Sequence, residues 1–135
     1  MTLRALPVLA TIATIALVGT AIAADMTGAE IKELVSGKTV YLDLGAGATA
    51  GAGKGAIYYA ADGTAFNKTP KGEVWQGPWS IKDNTICIDW KEVPNNPCSR
   101  YDKQGDKITV INVKTGQPRG TVAKTAAGNP DNIKP

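Results

Sequence analysis

No histidine occurs in this 135-residue chain, and cysteine occurs only twice, at Cys87 and Cys98. Without histidine the chain cannot build a Ser-His-Asp triad, a Cys-His dyad or a histidine-ligated zinc or haem site. Aromatic residues are scarce, at 6%, so the few present must supply much of any core volume. Charge of one sign is lacking as well: 15 Lys and Arg stand against 12 Asp and Glu, and the lysines are scattered singly. Nucleic-acid binding requires a clustered basic stripe with interleaved aromatics, and the sequence holds none. A helical bundle is excluded because 15 Gly and 8 Pro punctuate the chain too often. What is there is one domain's length of globular composition, 43% hydrophobic and 20% charged.

The sustained apolar run from Ala5 to Val18 follows Arg4 and precedes Ala21-Ile22-Ala23, which puts small residues where a signal peptidase requires them. Residues 1–23 are therefore expected to be a cleaved signal peptide, leaving 24–135 as a single domain of about 112 residues. Threonines within the run and the A-x-A box weigh against a retained anchor, so no stable membrane span is expected after cleavage. Losing Arg4 leaves 14 basic residues against 12 acidic ones, a nearly neutral surface. An exported chain works in the periplasm or outside the cell, where thiols oxidise. Cys87 and Cys98, with ten residues between them, are expected to pair there as a structural disulfide. A redox centre would instead favour C-x-x-C at a helix start.

One helix is expected, and it comes first. Thr27-Gly28-Ala29-Glu30 has the capping-box pattern, Ile31, Leu34 and Val35 share a face, and Gly37 sits where a C-cap glycine belongs. Barely three turns long, it must lie on something larger, as a plug or lid. After Gly37 the pattern turns to short alternating strands, expected over 38–44, 56–60, 64–68, 73–81, 85–91, 98–103, 107–113 and, weakly, 119–124. Asp62-Gly63, Lys82-Asp83-Asn84 and Gln104-Gly105-Asp106 supply turns between them. About eight strands at ten-residue spacing, with no room for crossover helices, predict a mainly β fold. The expected form is an antiparallel meander forming a small barrel or curved sheet, behind one short N-terminal helix and ahead of an irregular tail.

Three groups of residues invite chemistry. The glycine-rich run 45–55 has no Walker spacing: Thr49 stands five residues before Lys54, Gly55 follows it, and a strand rather than a helix comes next. The run is a loop, placed to gate a barrel mouth if there is one. The carboxylates of Asp43, Asp62, Glu73, Asp89 and Glu92 come from separate strands and turns, and no spacing forces a catalytic pair. The aromatics are mostly core, and a subset is expected to line a cavity and hold an apolar or sugar-like ligand by stacking. Trp75, Trp79 and Trp90 fall on the expected inward face and, with Tyr58, are the candidate ligand-binding residues.

Tyr58-Tyr59-Ala60-Ala61-Asp62-Gly63-Thr64, then Gly77-x-Trp79, then Cys87, Trp90 and Cys98, then Gly128-Asn129-Pro130 occur in this order along the chain. In that order they resemble the small exported proteobacterial proteins of domain-of-unknown-function family 995, over roughly residues 37–132. The resemblance implies an exported domain and a probable fold rather than a chemistry. A looser similarity links the chain to calycin-type barrels, which combine a G-x-W element, a meander and a disulfide. In lipocalins G-x-W lies on the first strand, whereas Gly77-Pro78-Trp79 lies mid-chain.

The expected function is a non-enzymatic, exported binding module that holds a small ligand inside a β-barrel, with no cofactor, metal or catalytic residue. The alternative is an interaction or inhibitor protein that meets an exported hydrolase or the cell envelope through the 45–55 and 93–97 loops. A carboxylate-only hydrolase is a third possibility.

Overall fold

The computed structural model describes residues 22–135 continuously, together with Ile15 and Gly19 ahead of them. The expected leader over 1–23 lies almost wholly outside the described residues.

Eight strands form a closed antiparallel barrel. In chain order the elements are β1 (Ala24–Asp25), α1 (Gly28–Val35), β2 (Lys38–Leu44), β3 (Gly53–Tyr59), β4 (Thr64–Lys68), β5 (Val74–Lys82), β6 (Thr85–Ile88), β7 (Ser99–Gln104), β8 (Lys107–Asn112) and β9 (Pro118–Ala127). From β2 to β9 each strand pairs with the next, and β9 returns to β2, with Lys38 opposite Ala127 and Leu44 opposite Gly120. The barrel and curved-sheet alternatives are thus resolved in favour of the barrel. Closure leaves no open edge among these eight strands, which is how an all-β domain avoids edge-to-edge association.

The closing strand is the main departure from expectation. The stretch expected as weak is the longest strand, ten residues: it pairs with β2 from Gly120 to Ala127, and its first residues, through Thr121, pair with β8 as well. β3 begins three residues earlier than expected and absorbs the end of the glycine run. β6 ends at Ile88, but the chain keeps bonding to β5: Asp89 donates to the Pro78 carbonyl at 3.0 Å and Lys91 to that of Gln76 at 2.9 Å. The strand β1 was not anticipated. It adds two residues to the far end of β7, pairing Ala24 with Lys103 and Asp25 with Asp102.

Helix α1 closes one end of the barrel. Thr27 Oγ1 accepts from the Glu30 amide at 3.2 Å while Glu30 Oε2 accepts from the Thr27 amide at 2.7 Å, so the capping box is complete. Ile31 and Val35, one turn apart, are fully buried. Each contributes about 1.5–3 kcal/mol of apolar burial, which holds a helix too short to stand alone. The helix packs over β2, β5 and β6, and its last turn is tied to the barrel where the Gly37 amide donates to the Tyr59 carbonyl. The tail packs at the same end: Thr39 Oγ1 donates to the Gly128 carbonyl at 2.7 Å, and Ile133 is buried.

The weakest seam runs between β6 and β7, where a single pair, Ile86 with Ser99, joins the ladder. The disulfide Cys87–Cys98 lies directly beside that pair, with its Cα atoms 4.3 Å apart, and bridges the seam covalently.

Candidate functional site

Alternation along the strands turns Val40, Leu42, Ile57, Trp75, Ile86, Ile88 and Val110 into the barrel. At the helix end they fill it. Toward the opposite end they leave a cavity of about 70 Å³, room for a few waters or a compact group of several heavy atoms. The connections 45–52 and 89–98 fold over this mouth, contributing Ala48, Thr49 and Ala50 from one and Asn96 and Pro97 from the other. The glycine-rich stretch is folded there into two successive turns, Ala48 donating to the Gly45 carbonyl and Gly51 to that of Ala48.

Of the four aromatics expected to bind, the structure brings two to the cavity. Trp75 and Trp90 line it, with ring centroids 6.2 Å apart and planes at 60°. Trp90 reaches this wall because Gly77 has no side chain: a Cβ there would collide with the Asp89 carbonyl. Trp79 shares the inward face of β5 but lies nearer the helix end. It packs edge-on against Tyr59 at 5.7 Å, donates its indole N–H to the Ala60 carbonyl at 2.9 Å, and is not among the cavity walls. Tyr58 points outward and stacks on Phe66, its cross-strand partner, at 6.3 Å. The inward residue of the pair is Tyr59, because Val40, already inside, is paired with Ile57 two positions earlier.

Two phenols and a guanidinium, none of them expected from the sequence, supply the cavity's ionisable groups. Tyr59 and Tyr101 are both 1% exposed and their hydroxyls interact with one another. Burial pushes both above the ordinary tyrosine value, and for Tyr59 the neighbouring Tyr101 pushes further. Arg119 lies near the start of β9 and is 8% exposed. Its Nη1 donates to Thr49 Oγ1 at 3.0 Å and to Asn96 Oδ1 at 3.3 Å, and its Nη2 to the Pro97 carbonyl at 2.9 Å. It therefore joins both mouth loops from within.

A register shift explains how a charged residue comes to point inward. Val110 of β8 faces Gly120 and Ile111 faces Pro118, so Arg119 is an extra residue, a β-bulge. Val122 and Gly120 pair with the inward Leu42 and with Leu44, a second cavity wall. Strict alternation would then put Arg119 outside; the bulge turns it in.

No carboxylate pairs with Arg119 among the described residues; the two ion pairs found, Lys54–Asp43 and Arg100–Asp25, are solvent-exposed. Among the described residues, the cavity walls include no Asp or Glu. Burial lowers the Arg119 pKa, yet a guanidinium stays cationic at neutral pH. The guanidinium Nε is buried with no hydrogen-bond partner. Among the described residues no cluster of His, Cys, Asp or Glu could hold a metal, and no helix is long and apolar enough to cross a membrane.

Compared with family models, with curated proteins and with solved structures, the chain matches none.

Proposed function

We propose that this protein is an exported, non-enzymatic binding module that takes a small ligand into the open end of its barrel. The observation that carries the reading is the cavity itself. It is walled by Trp75 and Trp90, has polar groups converging from Arg119 and the mouth loops, and sits in a barrel otherwise closed by its helix. Small-ligand sites have this make-up, a concave apolar lining with a few placed polar groups. The disulfide fits a working life in the periplasm or outside the cell, as does the resemblance to the exported family 995 proteins and calycin-type barrels. Binding rather than turnover is favoured because the cavity is lined by no carboxylate pair and the chain has no histidine.

The rival reading, contact with another protein through the loops, draws less support. The 45–52 and 89–98 connections are occupied with closing the mouth, and Val113 is the sole large apolar side chain exposed on the barrel among the described residues.

Native mass spectrometry of protein purified from the periplasm tests the reading. A co-purifying small molecule that is lost on denaturation is the expected result. Repeated recovery of bare protein, together with no response to any small-molecule titration, would overturn it.

A further inference from the structure

We propose that the ligand is a small monocarboxylate, held by Arg119 inside the barrel with its apolar part against Trp75 and Trp90. The inference rests on the binding-module reading and adds the chemistry of the occupant.

Donor counting leads to it. A guanidinium has five N–H donors. Three are taken by neutral acceptors on the mouth loops: Thr49 Oγ1, Asn96 Oδ1 and the Pro97 carbonyl. The two left over belong to Nε, which is buried and has no partner, and to Nη2. Nε and Nη2 form one edge of the guanidinium, the edge that takes the two oxygens of a carboxylate side-on. A buried charge and a buried N–H without acceptors are both costly, and one carboxylate satisfies both at once.

The charge balance narrows the class. Among the described residues Arg119 is the one cationic side chain lining the cavity and no acid lines it, so a single negative charge is matched. A cation would be repelled, and a neutral molecule would leave the guanidinium uncompensated. A phosphate dianion would want further donors of positive charge, which the walls of Trp75, Trp90 and Leu42 do not offer. The bulge that turns Arg119 inward is the kind of device found where a strand re-aims a side chain toward a site.

The test is calorimetric titration of the purified, disulfide-intact protein at pH 7 with three probes compact enough for the cavity: propionate, propionamide as its neutral counterpart of the same size, and inorganic phosphate. Propionate is expected to bind about tenfold or more tightly than propionamide, a difference typical of a charge-assisted pair. Phosphate is expected to be the weakest of the three. In Arg119→Met the preference for propionate should vanish while propionamide changes by no more than about twofold. Arg119→Lys, which keeps the charge and loses the side-on edge, should fall between. Equal affinities of propionate and propionamide for wild type would overturn the carboxylate and leave the cavity standing. Phosphate binding as tightly as propionate would overturn it too. If neither organic probe binds up to about 50 mM, where only interactions weaker than roughly 2 kcal/mol go unseen, the binding-module reading falls with it. The wild-type comparison decides even if Arg119→Met does not fold.

Discussion

Replacing both Cys87 and Cys98 by serine is expected to lower the melting temperature by about 12 °C, from a loss of about 3 kcal/mol. The loss is that of a loop closed between residues 11 apart, which removes entropy from the unfolded chain. The conversion uses about 2.1 cal/mol/K of unfolding entropy per residue over a domain of about 112 residues, so each kcal/mol moves the midpoint by about 4 °C. Position makes the full value credible. The β6–β7 seam has one ladder pair, Ile86 with Ser99, and the disulfide flanks it. Calorimetry on the double variant gives the midpoint, and hydrogen exchange should show faster opening in β6 and β7 while the seven-pair β2–β9 closure stays protected. The mouth should loosen as well, since Cys98 follows Pro97, whose carbonyl holds Arg119. A midpoint within about 3 °C of wild type, under 1 kcal/mol, would refute the reasoning and mean that packing alone carries the seam.

Three further perturbations probe other parts. Ile31→Ala removes a fully buried side chain from the helical plug and should cost about 2–5 kcal/mol, read from chemical denaturation, without changing the strand content by circular dichroism. Gly77→Ala should destabilise by about 1–3 kcal/mol and disturb the Trp90 fluorescence, because its Cβ would run into the backbone of Asp89 and Trp90. The third perturbation is alkaline pH. Tyr59 and Tyr101 have pKa values raised by burial, so they stay protonated in the fold when the unfolded chain begins to ionise. Stability should be complete below about pH 10 and fall as pH rises above it, and phenolate absorbance from these two should appear only with unfolding.

Much of this barrel is readable from period-two alternation, and each misreading has its own physical cause. Val40, Trp75, Ile86, Ile88 and Trp90 are found inside, as their spacing indicates, because a strand buried on one face leaves that periodicity in the sequence. Parity is harder to assign where neighbours are alike. In Tyr58-Tyr59 both residues are bulky and amphipathic, and only the pairing of Val40 with Ile57 decides that Tyr59 is inside. Trp79 has the right parity, but parity says nothing about depth along the barrel axis, and it lies toward the plug. Arg119 was beyond reach for a different reason. A bulge inserts one residue and reverses parity, and its cause is long-range, the match of β9 to β2 and β8 at once. The nearest local hint is that Arg119 stands between Pro118 and Gly120, two residues that fit poorly in a regular strand.

The absence of histidine bears on the cavity as well as on catalysis. Among the described residues its ionisable lining is Arg119, Tyr59 and Tyr101. The first is a cation throughout the physiological range, and the two phenols are held neutral by burial. No group in the cavity changes charge between about pH 5 and 8, the interval in which histidine would act as a switch. The interior thus presents one fixed positive charge, and if the proposed monocarboxylate binds there, only its own ionisation can alter the match in that interval. Arg119 commits three of its five donors to the two mouth loops, so the group that fixes the charge also fixes the shape of the entrance. A ligand that drew the guanidinium inward would therefore release Thr49, Asn96 and Pro97 together, which makes the mouth and the charge one element rather than two.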